Sequence, residues 1–436
     1  MSSETIGIIG IVILLFLFLI RMPVGFAMAL IGVAGYMYLA SPQAGLSLLA
    51  RDFWTNFSSY SLSVIPMFVL MGSIAFASGI GSRLYDATYA MFGRLRGGLG
   101  LATILACAGF AAICGSTNAT AAAMGRVTLP EMKRYNYADS LATGCVAAAG
   151  SLGILIPPST VFIVYGILTQ ESIGKLFIAG VLPGALLAVL FMLTLFLQTR
   201  INPSLAPAAG AGTTLKQKLV GFSGIAEALI LFALVIGGIF LGWFSPTMGG
   251  AIGAAGALVI GLVRRSLTKD NFVFAVKDAV RISCMVMVIV TGAFVFGHFM
   301  AISKIPLVMA DWIGGLPLPN AAIMAFIVLM YLIGGCFMDA LALITLTIPI
   351  IFPLVEALGF NPIWFGVIIV LVTEMGVITP PVGINVYVIK GVAEENVRLE
   401  SIFKGILPFL AALIVCVAIL IAFPQIATFL PGLAAY

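Results

Sequence analysis

One stretch of the chain, residues 115–158, begins with GSTNAT and ends with GILIPP. A second stretch, residues 334–381, begins with GGCFMDA and ends with GVITPP. The final prolines, Pro158 and Pro381, lie 223 positions apart, and the same spacing extends back to the inner prolines of the two stretches. Matching motifs at a constant spacing predict that the chain contains a duplicated unit.

The composition excludes a water-soluble fold. Of the 436 residues, 62% are hydrophobic and only 8% are charged, and the mean hydropathy is +1.21. Lipid is therefore the solvent for most of the chain, which at roughly 20 residues per span has room for about ten to twelve membrane segments. Duplication in an apolar chain of this size is typical of transporters. The net charge of +5 follows from membrane topology and does not indicate a nucleic-acid partner.

The apolar run at residues 97–130 is too long for one membrane helix. As a single helix it would measure about 50 Å, against a hydrocarbon core of about 30 Å. Polar residues 115–120 interrupt it, and basic residues flank it at Arg94, Arg96, Lys133 and Arg134. Because basic residues favour the cytoplasmic side, both ends are predicted to lie there, which makes the run a re-entrant hairpin.

The corresponding run in the second half, residues 320–352, has different flanks. Asp311 precedes it, Glu356 follows it, and no Lys or Arg lies close by. This hairpin is predicted to enter from the periplasmic side. Residues 138–168 and 363–392 each contain a Pro-Pro pair and are predicted to be broken helices.

With these assignments, most of the 21 basic residues lie on the cytoplasmic side and both termini are periplasmic. The predicted fold is an all-α polytopic membrane protein with an inverted-topology repeat, two re-entrant helical hairpins and two Pro-Pro broken helices. We expect scaffold helices and an interfacial arm at 1–60, a first repeat with the cytoplasm-facing hairpin at 61–200, a linker with scaffold helices at 201–283, and a second repeat with the periplasm-facing hairpin at 284–436.

Polar residues collect at the hairpin tips and at the Pro-Pro breaks. Unwound backbone at membrane depth is tolerated only where it is buried in protein or lines a wet cavity. There, free carbonyls can coordinate a hard cation, and free N–H groups can hold an anion. The candidate oxygen donors are Ser116, Thr117, Asn118, Thr120 and Ser151 with the carbonyls near Gly150 and Gly153, and in the second repeat Asp339, Thr373, Glu374 and Thr379.

Small hydroxyls and carbonyls at this density suit sodium better than a transition metal. The alternative for any single Ser or Thr is a hydrogen bond back to its own helix. Asp339 is the strongest single candidate, because an acid within a membrane segment is energetically unfavourable and usually functional. Glu374 is either a structural hydrogen-bond partner or a proton site.

Arg126 has two interpretations. Its guanidinium could bind a substrate carboxylate or sulfonate. It also lies only four residues before Pro130, so the side chain could extend to the cytoplasmic interface instead, and this proximity favours the second interpretation.

Four motifs resemble the large membrane (M) subunit of tripartite ATP-independent periplasmic (TRAP) transporters. They are GSTNATAAAMGRVTLPEMKRYNY at 115–137, GSLGILIPPSTVFIVYGILTQESIGKLFIAGVLPG at 150–184, ITPPVGINVYV at 378–388 and GILP at 405–408. The resemblance covers nearly the whole chain. It implies a bacterial or archaeal inner-membrane carrier with an elevator-type ion transporter fold. It also implies two partners, a small four-helix membrane subunit (Q type) and a periplasmic substrate-binding protein (P type).

The resemblance further implies uptake of an organic acid driven by two or more sodium ions. One implied sodium site comprises Gly115, Ser116, Thr117, Asn118, Gly150, Ser151 and Gly153, and the other comprises Gly334, Gly335, Asp339, Thr373 and Gly376. Substrate is expected between the hairpins, near Asn118, Thr120, Arg126, Pro157, Pro158, Thr379, Pro380 and Pro381. Arg126 departs from the family pattern, in which small residues are more usual at this position.

The expected mechanism begins when the binding protein releases an anion between the hairpins. Sodium neutralises its charge, and the loaded hairpin bundle slides against a scaffold of the first spans and residues 224–263. The alternatives are a proton-driven organic acid or ion antiporter using Asp339 or Glu374, an intramembrane lipid phosphatase, and a passive structural subunit. The substrate stays open among C4-dicarboxylates, sialic acids, 2-oxo acids and small sulfonates.

Overall fold

A computed structural model of the chain describes residues 2–93, 95–207, 215–315 and 317–434. In these ranges all regular structure is helical, and no strand is present. Arg94 and residues 208–214, part of the predicted inter-repeat linker, lie outside the described residues.

The helices of the first half are α1 (Ser3–Leu19), α2 (Val24–Leu39), α3 (Pro42–Phe57), α4 (Val64–Ala77), α5 (Ile80–Phe92), α6 (Gly98–Cys114), α7 (Thr117–Arg134), α8 (Asp139–Gly150), α9 (Leu152–Leu155), α10 (Thr160–Thr169) and α11 (Ile173–Ile201). The second half contains α12 (Leu215–Phe232), a π-helical segment at Ala233–Gly237, α13 (Gly238–Phe240), α14 (Pro246–Val263), α15 (Lys269–Ser303), α16 (Ile305–Gly314), α17 (Asn320–Gly335), α18 (Ala340–Ala357), α19 (Pro362–Ile378), α20 (Ile384–Val392), α21 (Leu399–Ala422) and α22 (Gln425–Leu433).

The duplication predicted from the sequence is present in the backbone. Helices α7 and α18 each have 18 residues, and both their first and last residues are 223 positions apart. Left-handed backbone follows each of them at the same spacing, with φ of 54° at Asn136 and 75° at Gly359. The Pro157-Pro158 and Pro380-Pro381 peptide bonds are both cis. The two halves therefore share one local architecture, whose inverted orientation in the membrane stays a prediction.

Capping residues explain where several helices begin. Ser116 Oγ accepts a hydrogen bond from Ala119 N at 3.4 Å, and Asp339 Oδ1 accepts one from Ala342 N at 3.1 Å, so each polar tip is also a helix N-cap. Thr268 caps α15 in the same way. This helix therefore begins at Lys269 and not at Cys284, where the apolar run suggested that a span begins.

The helices pack in two groups. In the outer group, α15 packs on α2 and α4, α14 packs on α4, and α12 packs on α5. In the inner group, α6 and α7 pack on α8, α17 packs on α19, and α18 packs on α10. Contacts of α5 and α4 with α6 and of α15 with α18 join the two groups. The cavity described below lies along the part of this junction formed by α4 and α15.

Six helical segments in the described part of the chain are long and apolar enough to cross a membrane, counting α8 to α10 (Asp139–Thr169) as one segment. The number is seven if α3 and α4, bent by 59°, form one span. This is fewer than the ten to twelve segments expected from length. Apolar helices such as α1, α2, α6 and α17 have only 16 or 17 residues, because turns and tips end them early. The division into four regions stays a prediction.

Candidate functional site

The first hairpin tip is tied to the break in its own repeat. Gly115 ends α6 with φ of +65°, and its carbonyl oxygen accepts hydrogen bonds from Thr160 N at 3.4 Å and Thr160 Oγ1 at 3.1 Å. A Cβ at Gly115 would lie 2.5 Å from the Pro158 carbonyl oxygen. Both the left-handed conformation and this close approach require glycine here.

The bend between α8 and α9 packs against the same tip. A Cβ at Gly153 would lie 2.6 Å from the Ser116 carbonyl oxygen and 2.9 Å from Thr120 Oγ1, and one at Gly150 would lie 2.7 Å from Ala121 Cβ. Ser151 is fully buried, but its hydroxyl donates to the Ala148 carbonyl at 2.6 Å. At this bend, backbone carbonyls are therefore better placed to meet a cation than the Ser151 side chain.

The second tip also packs closely on its own repeat through glycines, at different residues. A Cβ at Gly376 would lie 2.5 Å from the carbonyl carbon of Gly335, and one at Gly335 would lie 2.9 Å from the Thr373 carbonyl oxygen. Gly334 packs on Leu343, since a Cβ at Gly334 would lie 2.7 Å from Leu343 Cδ1. The end of α17 thus lies directly on the backbone of α19, as the first tip lies on the bend after α8.

Hydroxyls in the second repeat bond to their own helix. Thr373 Oγ1 donates to the Val370 carbonyl at 2.8 Å, and Thr379 Oγ1 donates to the Met375 carbonyl. This is the alternative expected for Ser and Thr in membrane helices. It leaves carboxylates and backbone carbonyls as the strongest oxygen donors in this half.

Glu374 connects the two repeats. Its side chain is buried at 1% exposure, and Oε1 accepts a hydrogen bond from Thr117 Oγ1 at 2.8 Å. Oε2 is also buried and has no hydrogen-bond partner among the described residues. A buried carboxylate oxygen in this position is stabilised by a cation, a proton, an ordered water or a donor from a ligand.

A cavity of ≈ 560 Å³ lies between these elements and the outer helices. Its wall includes the tip residues Ser116, Thr117 and Asn118 of the first repeat and Asp339 of the second, together with Glu374. The outer helices α4 and α15 form the opposite wall. A volume of this size accommodates a small organic molecule.

Arg126 also lines this cavity and is exposed within its wall. It is the single basic side chain among the described residues that line the cavity, and it forms no hydrogen bond or ion pair within the described part of the chain. The guanidinium is therefore free to meet an anion.

The remaining predicted substrate residues do not line the cavity. Thr120, Pro157 and Pro158 are buried behind the first tip, whereas Pro380 and Pro381 are exposed outside the cavity and Thr379 is half-buried. Three polar residues of the cavity wall were missed, Ser73 on α4, Thr160 on α10 and Asp278 on α15. The Thr268 cap is the sequence signal that would have placed Asp278 on the same helix as the apolar span.

The donors around the tips are oxygen atoms. In the described ranges, no group of three or more His, Cys, Asp or Glu side chains could hold a metal ion. Carbonyls, hydroxyls and carboxylates are the ligand types that hard cations prefer. The unpartnered Oε2 of Glu374 fits such a cation.

Comparison with known proteins decides the family. Residues 11–426 match the family "Tripartite ATP-independent periplasmic transporter, DctM component". The chain belongs to this family. As a DctM component, it is the permease part of a transporter and not an enzyme, so the lipid-phosphatase alternative is excluded.

Several curated relatives of this DctM-family protein span most of the chain. It is 35% identical to the C4-dicarboxylate TRAP transporter large permease protein DctM of Pseudomonas aeruginosa, over 92% of this chain and 93% of the relative. It is 35% identical to the isethionate TRAP transporter permease protein DctMQ of Oleidesulfovibrio alaskensis, over 95% of this chain and 64% of that protein. It is 31% identical to the sialic acid TRAP transporter large permease protein SiaM of Vibrio cholerae, over 94% and 95%.

Two solved structures share the fold at 16% sequence identity. The YdaH transporter of Alcanivorax borkumensis matches with a TM-score of 0.62 over 88% of this chain and 90% of that chain. The MtrF protein of Neisseria gonorrhoeae matches with a TM-score of 0.57 over 87% and 84%. The chain therefore shares its overall fold with these two proteins.

Proposed function

We propose that this DctM-family permease takes up organic-acid anions by sodium symport through an elevator movement. The observation that carries the proposal is the cavity between the two tips and the outer helices, which is lined by both Arg126 and Glu374. One carboxylate oxygen of Glu374 is buried and has no hydrogen-bond partner among the described residues. One side of such a cavity suits an anion and the other suits cations. The relatives that transport C4-dicarboxylates, isethionate and sialic acid support the substrate class.

Arg126 and Asn118 hold the anion in this proposal. A guanidinium binds carboxylate or sulfonate with two parallel hydrogen bonds, and these charge-assisted bonds are roughly twice as strong as neutral ones. Asn118 is exposed in the same wall and has both donors and an acceptor to offer a polar substrate. The choice among the proposed acids then depends on the rest of the wall.

Sodium occupies two or more positions at the tips. In the first repeat, the carbonyls of Gly115 and Ser116 and those of the bend at 150–153 supply ligands. In the second repeat, Asp339 and the backbone at Gly335 and Thr373 supply them. Glu374 adds a negative charge within reach of both repeats, because Thr117 of the first tip already bonds to it. These ions offset the charge of the anion and the partial charges of the helix ends.

The coupling follows from the position of the cavity between two helix groups. An inner bundle that moves past α4 and α15 carries any bound solute with it. An empty or half-loaded bundle leaves polar atoms unpaired in a dry site, so full and empty forms should move most readily. In this elevator mechanism, the inner bundle carries the anion across only when sodium is also bound.

The partners follow from the family and from the surface. Apolar side chains of α1, α12 and α14 are exposed, for example Leu19 at 81% and Val263 at 76%, and in the proposal they face lipid or the small four-helix membrane subunit. A periplasmic substrate-binding protein delivers the anion.

The permease itself lies in the inner membrane of a bacterium or archaeon, with both termini periplasmic.

Uptake in proteoliposomes tests the proposal. The vesicles contain the protein and its small subunit, with the binding protein and a radiolabelled organic-acid panel outside, with or without an inward sodium gradient at fixed pH. We expect uptake that requires both sodium and the binding protein. Uptake that is indifferent to sodium would overturn sodium symport.

A second candidate, proton-driven transport, is favoured by one observation, the buried Glu374 oxygen without a partner. A proton on this oxygen would stabilise it as a cation does. The same vesicles distinguish the two, since a pH gradient without sodium would then drive uptake, and Glu374→Gln would abolish that response.

A further inference from the structure

One charged group of the cavity has no role in the proposed function. Asp278 on α15 lines the cavity from the outer side. Its Oδ2 accepts a hydrogen bond from Ser73 Oγ of α4 at 3.5 Å. Both residues lie on helices against which the inner bundle packs.

Asp278 is close to the level of the first tip. Gly72 precedes Ser73 and packs on the end of α6, since a Cβ there would lie 3.0 Å from the Cys114 carbonyl oxygen. Cys114 directly precedes Gly115, where the tip begins. The Asp278 carboxylate therefore faces the same part of the cavity as the tip.

Arg126 faces the cavity from the inner bundle and farther along it. It lies on α7, about 14 Å along the helix from Thr117 at 1.5 Å per residue. Because helical side chains lean toward the N-terminus of their helix, the Arg126 side chain is directed back toward the tip and shortens this separation. In the proposed function, an acid held by Arg126 extends further in the same direction, so its far end is directed at the wall that contains Asp278.

That wall repels a second negative charge on the substrate. Besides Arg126, the charged side chains among the described lining residues are the carboxylates of Asp278, Asp339 and Glu374. Sodium offsets Asp339 and Glu374 in the proposed function, whereas Asp278 has only the Ser73 hydroxyl. An ionised carboxylate only accepts hydrogen bonds, and like charges repel more strongly in a low-dielectric cavity than in water.

We propose that Asp278 is a specificity-determining residue that selects acids with a single anionic group and a hydroxyl or ammonium group at the opposite end, and that it disfavours dicarboxylates. The inference rests on the proposed function, since it takes Arg126 as the partner of the acid group. The hydroxyl or ammonium donates to Asp278, whereas a second carboxylate is repelled by it.

Three acids with the same four-carbon backbone test the inference: 4-hydroxybutanoate, 4-aminobutanoate and succinate. Their binding is measured with the protein and its small subunit in lipid nanodiscs, at saturating sodium and without the binding protein. The hydroxy and amino acids should bind about tenfold more tightly than succinate, a difference of about 1.4 kcal/mol. In Asp278→Asn, 4-aminobutanoate should lose affinity, succinate should gain it, and the gap should fall to about twofold.

Asp270→Asn is the matched control, because Asp270 lies on the same helix, is exposed and does not line the cavity. It should keep the wild-type order of affinities. Ser73→Ala keeps the Asp278 charge and should keep that order as well. Unchanged thermal unfolding of each variant shows that it is folded.

Succinate binding as tightly as its two analogues in the wild type, or a gap unaffected by Asp278→Asn, would overturn the inference. The uptake experiment separates this failure from failure of the proposed function. If uptake is sodium-dependent while the three acids bind without the stated preference or do not bind, the role of Asp278 is wrong and the proposed function stands. If no acid of the panel is taken up, both are wrong.

Discussion

The two repeats have the same backbone at the site and different charges on it. Ser116 and Asp339 occupy equivalent positions, 223 residues apart, and each caps the second helix of its hairpin. At the same spacing, Ser151 in the first repeat corresponds to Glu374 in the second. Asp339 and Glu374 therefore both belong to the second repeat, and their counterparts in the first repeat are serines.

The basic residue shows the opposite distribution. Arg126 on α7 corresponds to Pro349 on α18, again 223 positions apart. Because a duplicated backbone places equivalent residues in equivalent surroundings, substitutions at these positions put the basic residue of the cavity in the first repeat and the acids Asp339 and Glu374 in the second. The repeats thus share their backbone geometry and differ in their charged residues, so mutations can test the two features separately.

The largest effect is expected where the shared backbone is closest packed. In Gly376→Ala, the new Cβ would lie 2.5 Å from the backbone of Gly335, and in Gly153→Ala 2.6 Å from the Ser116 carbonyl. Since backbone cannot move aside cheaply, each change should lower uptake by roughly tenfold or more. Gly391→Ala, with nothing within 4 Å of its Cβ, is the control. Near-normal uptake by both variants would show that the tips do not pack as described.

The next effect separates the charge of Asp339 from its capping role. Asn caps a helix about as well as Asp, whereas Ala costs about 1 kcal/mol. Asp339→Asn should therefore keep thermal stability. It should raise the sodium concentration that gives half-maximal uptake about tenfold, roughly the effect of losing one charge–ion contact. Asp339→Ala should show both defects. If Asp339→Asn has normal sodium dependence, the residue is only a cap.

A smaller effect is expected at the bond between the repeats. Thr117→Val removes the hydroxyl that donates to Glu374 at 2.8 Å, leaves both carboxylate oxygens without a partner in the described chain, and should destabilise the protein by about 1–3 kcal/mol. Thr117→Ser keeps the donor and should restore stability. Thermal unfolding in lipid nanodiscs measures both variants, and equal stability of the Val and Ser variants would contradict the bond.

The smallest effect is expected for an exposed link between the repeats. Lys133 at the end of α7 pairs with Glu394, and both side chains are more than half exposed. Exposed ion pairs contribute about 0–1 kcal/mol, so Lys133→Gln should change uptake by less than about twofold. A loss as large as that of Gly376→Ala would mean that this pair has a role in movement that its exposure does not suggest.

The sequence predicted the parts of the fold that depend on local signals. The polar residues at 115–120 and the Pro-Pro pairs mark breaks that any lipid-buried helix would show, so the tips and broken helices lie where they were expected. The start of α15 was missed because hydropathy marks where a helix enters lipid and not where it begins. Its true start is set by the Thr268 cap, and Asp278 was missed with it.

The site was predicted less completely because tertiary packing decides which polar groups face the cavity. Pro157 and Pro158 are buried although Pro380 and Pro381 are exposed, a difference that the Pro-Pro pairs in the two motifs do not predict. Thr373 has a hydroxyl like that of Thr117, yet it bonds to its own helix, whereas Thr117 reaches across to Glu374. Pairing between distant segments is not encoded in either local pattern.

The central claim is that Asp339 and Glu374 of the second repeat bind sodium, whereas Arg126 of the first repeat binds the anion. Equilibrium binding of radioactive sodium to the purified protein, without any anion, tests it most directly. The account predicts saturable binding in the wild type, about tenfold weaker binding in Asp339→Asn and in Glu374→Gln, and no change beyond about twofold in Arg126→Gln, because a removed cation cannot weaken a cation site. Absence of saturable binding in the wild type, or equal binding by all four proteins, would contradict it.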